Sequence, residues 1–273
     1  MKRVAAIQMA SGPNVSANLL EAARLIEQAA AEGAALVVLP ENFALMGMTD
    51  NDKVPLREAD GSGPMQDFLA QQAARHGVWL VGGTVPLVAQ TADKVRAACL
   101  VYNNHGKRVA RYDKIHLFDV SLEETREQYT ESLTIESGNT VVVIDSPVGR
   151  LGLAVCYDLR FPELFRLLLG QGMEVLALPA AFTAPTGRAH WEILVRARAI
   201  ENLCYVVAAA QGGYHLNGRE THGDSLIADP WGMVLDRQPR GSGVIVADVD
   251  LARLHKTRRT FPTIDHIRFR YPS

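Results

Sequence analysis

The chain has 273 residues, 48% of them hydrophobic, and a formal net charge of −2. With no basic block and no aromatic–basic interleaving it is a poor match for nucleic acid, and no apolar run approaches the roughly 20 residues that cross a bilayer. Its three cysteines, Cys99, Cys156 and Cys204, cannot all pair and sit among apolar residues, as in a reducing, cytoplasmic protein without structural disulfides.

The cationic start, Met1 to Arg3, is too short for a signal leader, and residues 4–9 read as a core strand. Residues 16–31 carry Leu19, Ala23, Ile26 and Ala30 at helical spacing. A strand at 35–39 runs into Pro40, Glu41 and Asn42. Pro64 and Gly77 bracket a second helix, and 78–81 form the next strand. Residues 97–102 and 107–111 then make a hairpin about Asn103-Asn104-His105-Gly106.

The second half repeats this order: a strand at 151–156, a helix from Pro162 to Leu169, and a strand at 174–179 that again ends in Leu-Pro. A helix from Thr186 to Ile200, a strand at 203–207 and a hairpin (225–228 with 233–235) about Asp229-Pro230-Trp231-Gly232 complete it. The register between the copies is loose, which marks an architectural repeat and not a solenoid. Two β-rich halves, each covered by two helices, predict an α/β fold packed sheet on sheet, a four-layer α-β-β-α sandwich. A doubly wound single sheet also satisfies the alternation.

Polar residues stand where folding alone does not ask for them. Glu41 and Cys156 lie at C-terminal strand ends, where open α/β sheets bind ligands. Their counterparts in the other half are Ala180 and about Gln8, so the halves diverge at these positions. Cys156 precedes a tight turn and a helix opening on Pro162; free N–H groups and a helix N-terminus there favour thiolate and offer donors to an oxyanion. The plain alternative is one more small buried residue. Glu41 or Lys114 alone is explained equally well by a structural ion pair. Together with a strand-end thiol they form a Glu–Lys–Cys constellation.

Three motifs carry a resemblance: Leu39-Pro40-Glu41, the run Tyr112 to Phe118 (YDKIHLF), and the run Gly152 to Glu163 (GLAVCYDLRFPE). In this order they resemble the nitrilase superfamily of carbon–nitrogen hydrolases, over essentially the whole length. The resemblance implies one domain spanning residues 1–273 with the sandwich fold, homodimers, and hydrolysis of a small nonpeptide amide without metal or organic cofactor. Cys156 would attack the amide carbon to form a thioester, with Glu41 as general base. Lys114, with the backbone N–H of Tyr157, would face the oxyanion, and offers a second route for a proton to the departing amine. Glu131 matches the family's second glutamate, although Glu123, Glu124, Glu127 and Glu136 nearby also allow a solvated acidic loop.

The stretch Pro179 to Glu192, with Cys204 to His215, is similar to the branch of the family that hydrolyses deaminated glutathione. A related branch acts on 2-oxoglutaramate. Both substrates carry carboxylates, so a cation is expected in the pocket, with Arg160 the first choice and a surface or helix-cap arginine the alternative. Phe182, Thr183 and Thr186 are candidate lining residues; His190 and Trp191 are expected to pack at the base of their helix. Asp224 departs from the glycine-histidine-serine or glycine-asparagine-serine pattern of relatives and would alter pocket charge. A papain-like Cys–His pair leaves Glu41 and Lys114 unexplained, zinc lacks ligand spacing, and a noncatalytic binding protein would be expected to have lost one of the three residues.

Overall fold

The computed structural model describes residues 1–122 and 127–269. Strand Lys2–Gln8 pairs in parallel with Leu36–Val38, which pairs in parallel with Trp79–Val81; Val95–Tyr102 follows antiparallel. The second sheet repeats this arrangement with Gly149–Leu153, Val175–Ala180, Tyr205–Ala210 and Ser225–Ala228. Helices α1 (Val15–Ala31) and α2 (Pro64–His76) supply the crossovers of the first sheet, and α3 (Pro162–Gly170) and α4 (Ala184–Asn202) those of the second. The internal repeat is therefore a repeat of topology, and the two sheets exclude the single doubly wound alternative.

Alternation along the strands separates the layers. Val4, Ala6, Leu36 and Val38 join the core shared with Leu153, Leu176 and Val206 of the second sheet. Ala5, Ile7, Val37 and Leu39 turn the other way, against Leu25 and Ile26 of α1. Each of those two helix side chains is fully buried, a contribution of roughly 1.5–3 kcal/mol apiece. Because both faces are covered, the central strands are continuous apolar runs. The last strand, Gly243–Val249, returns to the first sheet and pairs antiparallel with Lys2–Gln8 before α5 (Leu251–Thr260).

Several boundaries move, each for a local reason. The strand expected at 151–156 ends at Leu153, and Cys156–Arg160 is a 3-10 turn. Helix α4 starts at Ala184, since Pro185 fits a first turn without losing a hydrogen bond. The strand expected at 203–207 is Tyr205–Ala210, because Leu203 caps α4 in the left-handed region. The stretch before Glu131 is a hairpin, Asp119–Leu122 with Glu127–Thr130, and not a free loop; Glu123 and Glu124 lie outside the described residues.

Candidate active site

Three strand ends converge. Glu41 follows Leu36–Val38 and Lys114 follows Arg108–Asp113, both in the first sheet; Cys156 follows Gly149–Leu153 of the second. Close backbone packing holds each segment. Gly83, at φ 54°, lies so near Pro40 that a Cβ would come within 2.1 Å of its carbonyl oxygen, and the next residue, Thr84, accepts the Asn42 N–H at 2.8 Å. Gln211 donates to the Glu41 carbonyl at 3.0 Å. Gly138 closes on Asp113 in the same way and donates to the Lys114 carbonyl at 2.8 Å.

The cysteine turn is anchored from beneath by Asp158, which is fully buried. One oxygen accepts from the Tyr112 hydroxyl (2.6 Å) and from Val155 N–H (2.8 Å); the other accepts from His116 N–H (2.9 Å) and faces His116 Nδ1 (2.8 Å). One carboxylate thus ties the lysine segment to the cysteine segment. This tie is needed because Cys156 itself sits at φ 49°, a conformation that costs a non-glycine residue about 1–3 kcal/mol and persists only when its surroundings impose it. Asp158→Ala strands several buried donors and is expected to cost about 3–5 kcal/mol, with kcat falling further than KM rises. Thermal melting and steady-state kinetics check this.

Lys114 Nζ lies 2.8 Å from Glu41 Oε1 and 2.8 Å from both oxygens of Glu131, and it is buried. Burial alone would depress its pKa; Glu131 and Glu41 override this and hold it well above the ordinary lysine value. Burial likewise opposes ionisation of Glu131, but Lys114, with Lys53 further off, brings its pKa below normal. Phe118 N–H also donates to Glu131 at 2.7 Å. The second glutamate is therefore part of the cluster, not of a solvated loop.

The thiol corrects one expectation. Burial, followed by the negative charge of Glu41, pushes the Cys156 pKa well above the ordinary value, and Lys114 only partly opposes this. Cys156 rests as a thiol and not as a thiolate, because burial and the carboxylate beside it outweigh Lys114 and the Ala181 N–H, which donates to Sγ at 3.4 Å. Cys204 is pushed up to about 12, chiefly by burial, with Arg258 and Glu201 acting in opposite directions.

These groups form the floor of a pocket open to solvent, with about 520 Å3 of empty space in and above it. Glu41, Lys114, Cys156, Glu131, Tyr157, Arg160, Phe182, Thr183 and Thr186 all line it. Arg160 stacks over Phe182, 5.0 Å from its centroid, and its Nη1 lies 3.2 Å from Nδ1 of His190. His190 is exposed, against the expectation that it packs beneath its helix, whereas Trp191 is buried as expected and donates to the Asp224 carbonyl at 2.7 Å. Thr183 and Thr186 share a hydroxyl bond of 2.7 Å.

Asp224 does not charge the pocket. Arg237 binds both of its oxygens, one at 2.7 Å, so the acid is neutralised within its own strand pair. The sequence reading missed Asp50, Lys53, Phe118, Tyr129 and Arg219, which also line the pocket. Asp50 and Lys53 lie on a 3-10 turn, Phe118 and Arg219 on connecting segments and Tyr129 on the short strand Glu127–Thr130, where no periodicity points; the one available signal was Arg219 following Gly218 in a short hairpin.

The sequence profile of the carbon–nitrogen hydrolases matches residues 3–259. The chain is 43% identical to a deaminated glutathione amidase of Synechocystis, covering 96% of each protein. It is 40% identical to one of Yersinia enterocolitica, over 97% of this chain and 93% of that protein. The crystal structure of Saccharomyces cerevisiae Nit3, of branch 10 of the nitrilase superfamily, superposes with a TM-score of 0.88 at 31% identity, covering 98% of this chain and 97% of the other. The chain belongs to the carbon–nitrogen hydrolase family.

Proposed function

We propose that the protein is an amidase that cleaves deaminated glutathione into 2-oxoglutarate and cysteinylglycine through a thioester on Cys156. The observation that carries this reading is the arrangement of charge: a thiol with Glu41, Lys114 and Glu131 on the pocket floor, and Lys53, Arg160 and Arg219 around it. An electropositive wall suits a substrate with carboxylates at its ends. The amidase relatives support the same substrate.

Because the thiol is protonated at rest, attack requires a base. Sγ adds to the amide carbon as its proton passes to Glu41. The oxyanion faces Lys114 Nζ and the Tyr157 N–H, each such donor being worth roughly 3–4 kcal/mol of barrier. Collapse breaks the C–N bond, and Glu41 returns the proton to the departing amine. Glu41 then takes a proton from water, which attacks the thioester and releases the thiol. Lys114, held cationic by two carboxylates, stabilises charge and leaves the proton transfers to Glu41. Glu131 keeps Lys114 in place.

The deciding assay compares kcat/KM on deaminated glutathione, 2-oxoglutaramate and a simple aliphatic amide. Preference for the first supports the proposal; preference for the aliphatic amide overturns it. For Glu41→Gln, turnover is expected to fall about 10^2- to 10^4-fold. Loss of the carboxylate charge also lowers the thiol pKa, since Lys114 remains. The variant should therefore form thiolate at lower pH than the parent, read by ultraviolet absorbance and by the pH dependence of alkylation; an unchanged or higher thiol pKa contradicts the role of Glu41.

A further inference from the structure

Arg160 and Arg219 stand at the two ends of a row of aromatic rings. Arg160 lies 5.9 Å from the Tyr157 centroid; Tyr157 contacts Phe118 at 5.0 Å, and Phe118 contacts Tyr129 at 5.1 Å. Arg219 stacks on the far ring, 4.7 Å from the Tyr129 centroid. Neither arginine has an ion-pair partner among the described residues. The Nε of Arg219 is, in addition, buried without any hydrogen-bond partner, a state that leaves a donor in need of an acceptor.

The hairpin that presents Arg219, Gly212–Tyr214 with Glu220–His222, is fixed at several points. His215 is buried, with Nδ1 2.8 Å from the Ser11 carbonyl and Nε2 2.7 Å from the Thr221 hydroxyl. A carbonyl only accepts, so Nδ1 carries the proton and Nε2 accepts from Thr221. Asn217 donates to the Gly47 carbonyl at 2.8 Å and accepts the Arg219 N–H at 3.0 Å. An arginine on a hairpin fixed so firmly, lining the pocket without an ion-pair partner among the described residues, is built for a ligand.

We propose that Arg219 is a specificity residue that binds the carboxylate at the leaving-group end of the substrate, while Arg160 binds the 2-oxo acid end. The inference rests on deaminated glutathione as substrate. A tripeptide-sized chain spans roughly 10 Å when extended, so its two carboxylate ends reach different parts of the pocket wall, and Arg160 and Arg219 both line that wall. Lys53 adds positive charge to the pocket, while Asp50 opposes it. 2-Oxoglutaramate lacks the distal carboxylate, so Arg219 separates the two substrate classes.

The test measures Arg219→Ala and Arg219→Lys on three substrates: deaminated glutathione, the same molecule with its terminal carboxylate converted to carboxamide, and 2-oxoglutaramate. Arg219→Ala is expected to lose roughly 10- to 100-fold in kcat/KM on deaminated glutathione, chiefly through KM, and to stay within about twofold on the other two. Arg219→Lys should recover part of the loss. Turnover of 2-oxoglutaramate reports that the variant is folded. Equal losses on all three substrates, or no loss on any, overturn the proposal while leaving the amidase reading intact. Failure of the unaltered protein to cleave deaminated glutathione overturns both.

Discussion

Cys156→Ala is expected to reduce kcat/KM by at least about 10^4-fold and to leave the fold in place. Among the described residues that line the pocket, the thiol alone can form a thioester, and the carboxylate beside it would have no proton to take. The structural cost is small. Sγ accepts the Ala181 N–H at 3.4 Å and bonds Glu41, both weak sulfur hydrogen bonds, and alanine keeps the backbone of the turn, whose anchor is Asp158 beneath it. Thermal melting within a few degrees of the parent, with amine release lost, is the expected pair of results. Retention of full turnover would refute the covalent route.

Lys114→Met is expected to damage stability as well as turnover. It leaves Glu41 and Glu131 facing one another in a buried site without their cation, at a cost of about 3–5 kcal/mol, or a fall in Tm of roughly 10 °C for a chain of this size. The pH dependence carries a sign. In the parent, the folded-state pKa of Glu131 is lowered, so its pairing stabilises the protein above the ordinary carboxylate pKa of about 4.3 and is lost as pH falls through the lower folded value. In the variant, burial acts on Glu131 without the lysine and raises its pKa, so acid relieves the penalty. Melting curves of the two proteins should converge on acidification. A gap that widens instead would show that Lys114 does not hold the carboxylates.

Much of this arrangement was legible in the residues, and the limits have physical causes. Leu-Pro at two strand ends, Pro at helix starts and alternating apolar runs report local preferences that tertiary packing reinforced, so the layers and the repeat followed. The floor of the pocket was readable because charged residues in buried strand ends are expensive and call for a reason. Three features were not readable. The protonation of Cys156 depends first on how deeply the fold buries the thiol and then on the balance of Glu41 against Lys114, although both residues were identified. The role of Asp158 depends on donors from residues over forty positions away. Lys53 and Arg219 come from segments between the strands and Tyr129 from the short strand Glu127–Thr130, and their placement is set by contacts such as that of Asn217 with Gly47 and not by any period.

The pairing of Gly243–Val249 with Lys2–Gln8 also governs when the molecule can mature. The strand that borders the first sheet is synthesised after every residue assigned to the chemistry, so the sheet that carries Glu41 and Lys114 stays open along one side until residues 243–249 have emerged. Such a long-range closure is slow to find, and an exposed strand edge invites association with other chains meanwhile. Truncation ahead of residue 243 should therefore yield aggregation and not a smaller working enzyme, even though every residue assigned to the chemistry would still be present.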